Sequence, residues 1–145
     1  MKKIFAILLC VVITVSAFAK EKSMKIKIDI TSDSENHTLT AQLEENSSAK
    51  AFYELLKKGP VTIDMHDYGS FEKVGSLGTS LPRNDKQITT SAGDIILYQG
   101  NQITIYYDIN SWNFTRLGKI EGISQEELKR ILGKGNVTAV FSVEK

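Results

Sequence analysis

The sequence predicts a mainly β protein whose strands close into an antiparallel barrel of about eight strands, capped by two short helices. Three observations lead to this prediction. Apolar and polar residues alternate over many short runs, as in strands with one buried face. Turn residues such as Gly, Asn and Asp separate these runs. Only two short segments have helical spacing, and two such helices fit the mouths of a barrel better than the layers of a sandwich.

The first residues are expected to be removed from the mature protein. Lys2 and Lys3 precede an uncharged apolar run, Ile4–Val15, and residues 17–19 form a small-x-small cleavage site. The run is shorter than the roughly 20 residues of a membrane-spanning helix, which disfavours a retained anchor. We therefore predict a secretory signal peptide over residues 1–19 and one mature domain over residues 20–145. We expect export to the periplasm or the extracellular space, without stable membrane insertion after cleavage.

Cleavage also changes the chemistry available to the chain. Cys10 is the only cysteine and lies in the leader, so a mature protein without it forms neither disulfides nor thiolate sites. The full chain has 18 Lys and Arg against 17 Asp and Glu; loss of Lys2 and Lys3 leaves 16 against 17, a net charge of about −1. This balance lacks the basic surface of a nucleic-acid-binding domain.

Eight runs are predicted as strands. Residues 24–30 place four apolar side chains on one face, and the polar turn that follows makes residues 39–43 their hairpin partner. Gly100-Asn101 forms a tight hairpin between two later runs. Alternation fades over residues 70–78, where we expect the chain to bend, to bulge or to line a site, and over residues 109–114, where we expect a loop. The predicted strands are residues 24–30, 39–43, 61–65, 87–90, 95–99, 102–108, 116–120 and 137–143.

Two segments are predicted as short amphipathic helices. In the first, apolar residues 49, 52, 55 and 56 have helical spacing. Ser47 or Ser48 is expected to cap this helix, and Gly59-Pro60 ends it. Ser124 and Glu127 form a capping box for the second, over residues 125–132, which a glycine ends. We expect these helices to close the two mouths of the barrel.

Short phrases along the mature chain occur in a characteristic order. They are Ala51-Phe52 with Leu55-Leu56, Asp67–Gly75, Leu81-Pro82, Ala92–Tyr98 and Arg116–Ile120. Together they resemble the bacterial cyclophilin-like domain family over about residues 25–143. The resemblance implies an eight-stranded barrel of the cyclophilin fold with two capping helices, and it implies no established prolyl isomerase activity.

The resemblance leaves one enzymatic alternative, a weak peptidyl-prolyl cis-trans isomerase acting as an envelope folding factor. Cyclophilins direct an arginine at the prolyl nitrogen, beside an apolar cup, and carry Phe, Met and Gln at set spacing around it. Arg83, Arg116 and Arg130 are the only arginines of this chain, and none lies in such a phrase. Arg116 is the best candidate because Trp112 and Phe114 precede it. We therefore favour a non-enzymatic protein that needs no cofactor.

An aromatic cluster is the first candidate binding surface. Tyr107 shares a face with apolar residues and is expected in the core, whereas Tyr106 is expected on the opposite, exposed face. Trp112 either lines a binding groove or folds back as a lid over the barrel end, since an exposed tryptophan is costly unless it is used. The groove for a peptide segment or a small molecule is predicted from Tyr106, Trp112, Phe114 and Arg116.

A second candidate surface surrounds Tyr68 and Glu72. Gly69 and Gly75 flank Glu72 and allow a partner to approach the backbone closely. The phenol of Tyr68 beside the carboxylate of Glu72 can bind a polar ligand. Glu72 and Lys73 are adjacent on a strand, so we expect their side chains to point to opposite faces. The predicted ligand-binding residues are Tyr68, Glu72, Tyr106, Trp112, Phe114 and Arg116.

No catalytic or metal site is predicted. A strand places Asp64 and His66 on one face, which supplies two ligands where a zinc site needs three or four. The residues around Ser76 lack the spacing of a nucleophile elbow, and no histidine stands out as a base for them.

Overall fold

In the computed structural model, the described residues are 23–133 and 135–145. The predicted signal peptide and Cys10 lie outside them. Within these residues, no helix is both long and apolar enough to cross a membrane.

The described residues form nine strands and two helices. Their bounds are β1 Lys25–Thr31, β2 Asn36–Leu43, α1 Ser47–Lys57, β3 Val61–Tyr68, β4 Glu72–Ser76, β5 Lys86–Thr89, β6 Asp94–Tyr98, β7 Gln102–Tyr106, β8 Ser111–Ile120, α2 Gln125–Leu132 and β9 Val137–Val143.

Eight of the strands close into an antiparallel barrel, which confirms the predicted fold. Their order is β2-β1-β9-β3-β4-β7-β6-β8, and β2 pairs with β8 to complete the circle. The remaining strand, β5, pairs only with the first half of β8 and forms a two-stranded ribbon beside the barrel. This ribbon carries residues 111–114, which the sequence analysis placed in a loop.

The core lies inside the barrel because apolar residues alternate along its strands. Ile26, Ile28 and Ile30 of β1 are fully or almost fully buried, and they pack with inward residues of the neighbouring strands. Burying each such side chain contributes about 1.5–3 kcal/mol to folding. A smaller second cluster lies on the outer side of the barrel wall and contains Tyr106 and Phe114.

Both helices pack against this core, at opposite ends of the β3–β9 pair. Helix α1 leads into Val61 and α2 into Val137; Val61 lies opposite Phe141 in the ladder, and Met65 lies opposite Val137. Phe52 of α1 is fully buried, with its ring 5.8 Å from that of Phe141. The helices therefore cover two different ends of the barrel wall, as predicted.

The helix caps agree with the sequence analysis in one case and differ in the other. Ser124 caps α2 by accepting a hydrogen bond from the Glu127 amide at 3.2 Å. The cap of α1 is Asn46 rather than Ser47 or Ser48, because its side chain accepts from the Ala49 amide at 2.7 Å. Ser48 is buried and donates to the Pro82 carbonyl instead.

Of the alternatives for residues 70–78, a bend or a bulge is wrong for residues 72–76, because Glu72–Ser76 is a barrel strand paired on both sides. Strand β4 lacks the usual apolar inner face. Lys73 and Gly75 face inward, while Glu72 and Val74 are covered on the outer side. A side chain at Gly75 would lie 2.3 Å from the Asp64 carbonyl oxygen, so only glycine fits there. Because the inner face is polar and the outer face is covered, the alternation of apolar and polar residues does not predict this strand.

A buried ion pair lies at the inner side of β4. The Lys73 side chain has no solvent exposure, its Nζ is 2.7 Å from Oδ1 of Asp67, and it donates to the Gly135 carbonyl. The Tyr107 hydroxyl donates to Asp67 at 2.8 Å, and the Gly135 amide does so at 3.3 Å. Partial burial acts to raise the pKa of Asp67, but the bonds from Lys73, Tyr107 and Gly135 outweigh it and hold that pKa below its ordinary value.

Candidate binding groove

A groove of about 440 Å³ lies on the outer side of the barrel wall, beside the ribbon formed by β5 and β8. It brings together five of the six predicted site residues: Tyr68, Glu72, Tyr106, Trp112 and Phe114. Strand alternation explains the convergence. Glu72 of β4 lies directly opposite Tyr106 of β7, and Trp112 and Phe114 share one face of β8.

The aromatic wall of the groove is held in place by ring packing. Tyr106 stacks on Phe71 with ring centroids 6.0 Å apart, and it lies 5.5 Å from Phe114. The Tyr98 ring meets the edge of Phe114 at 6.2 Å. Tyr106 is consequently 1 % exposed, so the expectation of an exposed tyrosine is wrong although its outward direction is as predicted. Packing on several sides fixes these rings before any ligand arrives.

Two aromatic side chains at the rim remain largely in solvent. Tyr68 is 63 % exposed and Trp112 is 61 % exposed. Trp112 lies in β8, opposite Ile88 of β5, and lines the groove on the outer side of the barrel wall. Of the two alternatives left open by the sequence, a groove residue or a lid over the barrel end, the structure therefore supports the first.

Glu72 brings a negative charge to the inner part of the groove. It is 7 % exposed, and burial raises the pKa of its carboxyl group. The Tyr106 hydroxyl and the nearby His66 act in the opposite direction and do not cancel the effect of burial. Burial and contact with Glu72 likewise raise the pKa of Tyr106, whose hydroxyl also accepts from Asn110 at 3.4 Å. Glu72 and Lys73 point to opposite sides of the wall, as predicted.

Arg116 lies in a different cleft from the other predicted residues. Its side chain is 3.3 Å from Asp94 and 3.9 Å from Glu44, and it borders Asn46 and Lys86. Two features separate it from the groove. Arg116 is four residues along β8 from Trp112, about 13 Å in a strand, and its ion pairs hold the guanidinium beside Asp94 and Glu44.

Five further lining residues were not among the predicted site residues: His66, Val74, Tyr98, Gln102 and Asn110. A sequence signal existed for two of them. Val74 follows Glu72 by two positions and Gln102 precedes Tyr106 by four, so each pair shares a strand face.

The described residues hold no group of three or more His, Cys, Asp or Glu arranged to bind a metal ion. Within the groove, His66 and Glu72 are the side chains of these types. The chemistry that the groove offers is therefore aromatic contact, one carboxylate, one imidazole and a few hydroxyl and amide groups.

A comparison with protein families decides the relationship of this chain. The model described as the Cyclophilin-like family matches residues 30–142. The chain belongs to the cyclophilin-like family. This result confirms the resemblance found in the sequence.

A solved structure is similar to this cyclophilin-like domain in fold. The solution structure of the hypothetical protein AF2241 from Archaeoglobus fulgidus matches with a TM-score of 0.58 and 12 % sequence identity, covering 86 % of this chain and 99 % of that chain. At this identity the similarity concerns the fold alone. No curated protein matches the chain.

In this cyclophilin-like domain, all three arginines are described, and none lines the groove. Arg83 is bound to Asp85 at 2.5 Å, and Arg130 contacts Glu127 at 2.7 Å on α2. Glu72 is the acidic side chain that lines the groove.

Proposed function

We propose that this protein is an exported, non-enzymatic binding module that holds a peptide segment or a small molecule in the groove. The observation that carries the proposal is the convergence of packed aromatic rings and a buried carboxylate in one concave site. Its volume of about 440 Å³ lies in the range of ligand pockets, roughly 300–1,000 Å³.

The exposed apolar side chains support the same location. Among the described residues, the large hydrophobic side chains that remain mostly exposed are Tyr68, Ile109 and Trp112. Two of them, Tyr68 and Trp112, line the groove, whereas Ile109 does not. Exposed apolar surface gathered in one place is typical of an interaction site.

Removal of the Trp112 ring tests the proposal. We expect Trp112→Ala to weaken binding of groove ligands by about tenfold or more, because tryptophan is among the side chains that contribute most to binding energy. Ligand-observed NMR against a fragment library supplies the ligands, and titration gives their affinities. Ile109→Ala is the matched control, since Ile109 is 68 % exposed and does not line the groove. Equal affinities for Trp112→Ala and the parent protein, with both folded, would refute the site.

The isomerase alternative makes a different prediction. Rotation of an X-Pro bond faces a barrier of about 18–20 kcal/mol, and no arginine of the described chain lines the groove to act on the prolyl nitrogen. We therefore expect no acceleration in a protease-coupled proline-peptide assay at micromolar protein. An acceleration that Trp112→Ala abolishes would replace the binding proposal with the enzymatic one.

Export is supported by the sequence of the leader. We expect the protein recovered from the envelope or the medium to begin near Lys20, because cleavage should follow the small-x-small site. Intact-mass measurement of the full-length gene product expressed in a bacterium checks this. A cytoplasmic product that retains Met1 and the apolar run would contradict export.

A further inference from the structure

We infer that the groove selects organic cations, such as an alkylammonium group or the side chain of lysine or arginine in a peptide. This inference rests on the proposed binding function and adds the chemical class of the ligand. It follows from the juxtaposition of the Glu72 carboxylate with the exposed aromatic rings of Trp112 and Tyr68 in one groove.

Within residues 23–133 and 135–145, the Glu72 carboxylate forms no ion pair with a lysine or an arginine. None of the ion pairs formed there involves it, and no lysine or arginine lines the groove. Its chain neighbour Lys73 points to the barrel interior and is committed to Asp67. The titratable groups that face Glu72 are His66 from β3 and Tyr106 from β7. A buried carboxylate without a matching positive charge is costly, and a bound cation removes that cost.

The aromatic rings supply the second half of a cation site. Cations bind favourably over the faces of Trp and Tyr rings, and a carboxylate among such rings adds Coulomb attraction. Tyr68 and Trp112 are 63 % and 61 % exposed, so both rings are accessible to a cation. An anionic ligand would meet the charge of Glu72, and a neutral apolar ligand would leave that charge buried and unpaired.

Matched probes separate charge from shape. Choline and 3,3-dimethyl-1-butanol have nearly the same shape but differ in charge, as do Nα-acetyl-lysine methylamide and its Nε-acetyl derivative. We expect each cation to bind the mature protein about tenfold or more tightly than its neutral counterpart, by NMR titration that follows the Trp112 indole. Comparison of the choline and lysine arms distinguishes a small-molecule ligand from a peptide side chain.

Removal of the charge gives the second test. We expect Glu72→Gln to abolish the preference for cations, whereas Glu126→Gln, at an exposed position of α2, keeps it. Thermal unfolding confirms that each variant is folded. For the parent protein, cation binding should weaken as the pH falls from 7 to 4, because protonation of Glu72 removes the charge that the ligand neutralises.

The outcomes distinguish this inference from the proposed function. If neutral fragments perturb groove residues while choline and the lysine probe bind no better than their neutral counterparts, the cation inference is wrong and the binding site remains. If neither cations nor fragments perturb the groove, the proposed function fails and the inference fails with it. Should Glu72→Gln not fold, the preference of the parent protein for each cation over its neutral counterpart still decides the question.

Discussion

Replacing Asp67 by alanine is expected to lower the free energy of unfolding by about 2–4 kcal/mol, because it leaves the Lys73 ammonium buried without its countercharge. Lys73 has no solvent exposure, whereas the Asp67 side chain is 35 % exposed. The partial exposure of Asp67 places the expected loss below that of a fully buried pair. Urea denaturation of the mature protein followed by circular dichroism measures the effect.

The asymmetry of this ion pair provides the control. Lys73→Met should lower the free energy of unfolding less than Asp67→Ala does. Water can reach the Asp67 carboxylate that Lys73→Met leaves unpaired, but it cannot reach the Lys73 ammonium that Asp67→Ala leaves unpaired. Equal losses for the two variants, or a negligible loss for Asp67→Ala, would contradict the described network.

The same pair makes stability depend on pH in a defined window. The folded-state pKa of Asp67 is held below its ordinary value of 3.8, so the ionised form favours folding. This contribution is fully present above the unfolded-state pKa and disappears as the pH falls through the folded-state pKa. Between pH 5 and pH 2, the parent protein should therefore lose more stability than Asp67→Ala does.

Substitution of Gly118 by valine is expected to cost about 3 kcal/mol, because it forces apart the two strands that close the barrel. Gly118 of β8 pairs with Leu43 of β2, and a Cβ atom there would lie 2.4 Å from the Gln42 carbonyl oxygen. Valine favours strands elsewhere, so a loss of stability reports the close approach of the backbones rather than strand propensity.

Asn113→Val is the matched control for this substitution. Asn113 is exposed in the same strand, opposite Gln87 of the ribbon. Its replacement should change the unfolding free energy by less than about 0.5 kcal/mol. Similar effects of the two valine substitutions in urea denaturation would argue against the closed pairing of β2 with β8.

Much of the fold is predictable from the chain because most strands have one apolar face. The three isoleucines of β1 and the capping serine of α2 are local signals that agree with their tertiary surroundings. In strand β4 the local pattern disagrees with the tertiary surroundings. Its inward positions are occupied by Lys73 and Gly75, and its outward Glu72 is covered. Hydropathy alone cannot identify a strand whose inner face depends on an ion pair and a close backbone approach.

The candidate site was predictable in its residue types more than in its geometry. Trp112 and Glu72 stand out as an aromatic residue in a polar segment and a carboxylate between glycines. Their meeting depends on the pairing of β4 with β7 and on the ribbon of β5 and β8. Arg116 follows the aromatic residues closely in sequence, yet the structure places it in another cleft beside Asp94. Proximity in sequence therefore does not identify which residues share the groove.

The most direct test of the binding account is amide chemical-shift mapping of the mature protein, residues 20–145, with a fragment library that includes organic cations. The account predicts that the hits shift resonances of Tyr68, Glu72, Tyr106 and Trp112 together, and that the strongest hits are cations. Shifts confined to the cleft around Arg116, or hits scattered over the surface with none in the groove, would contradict it.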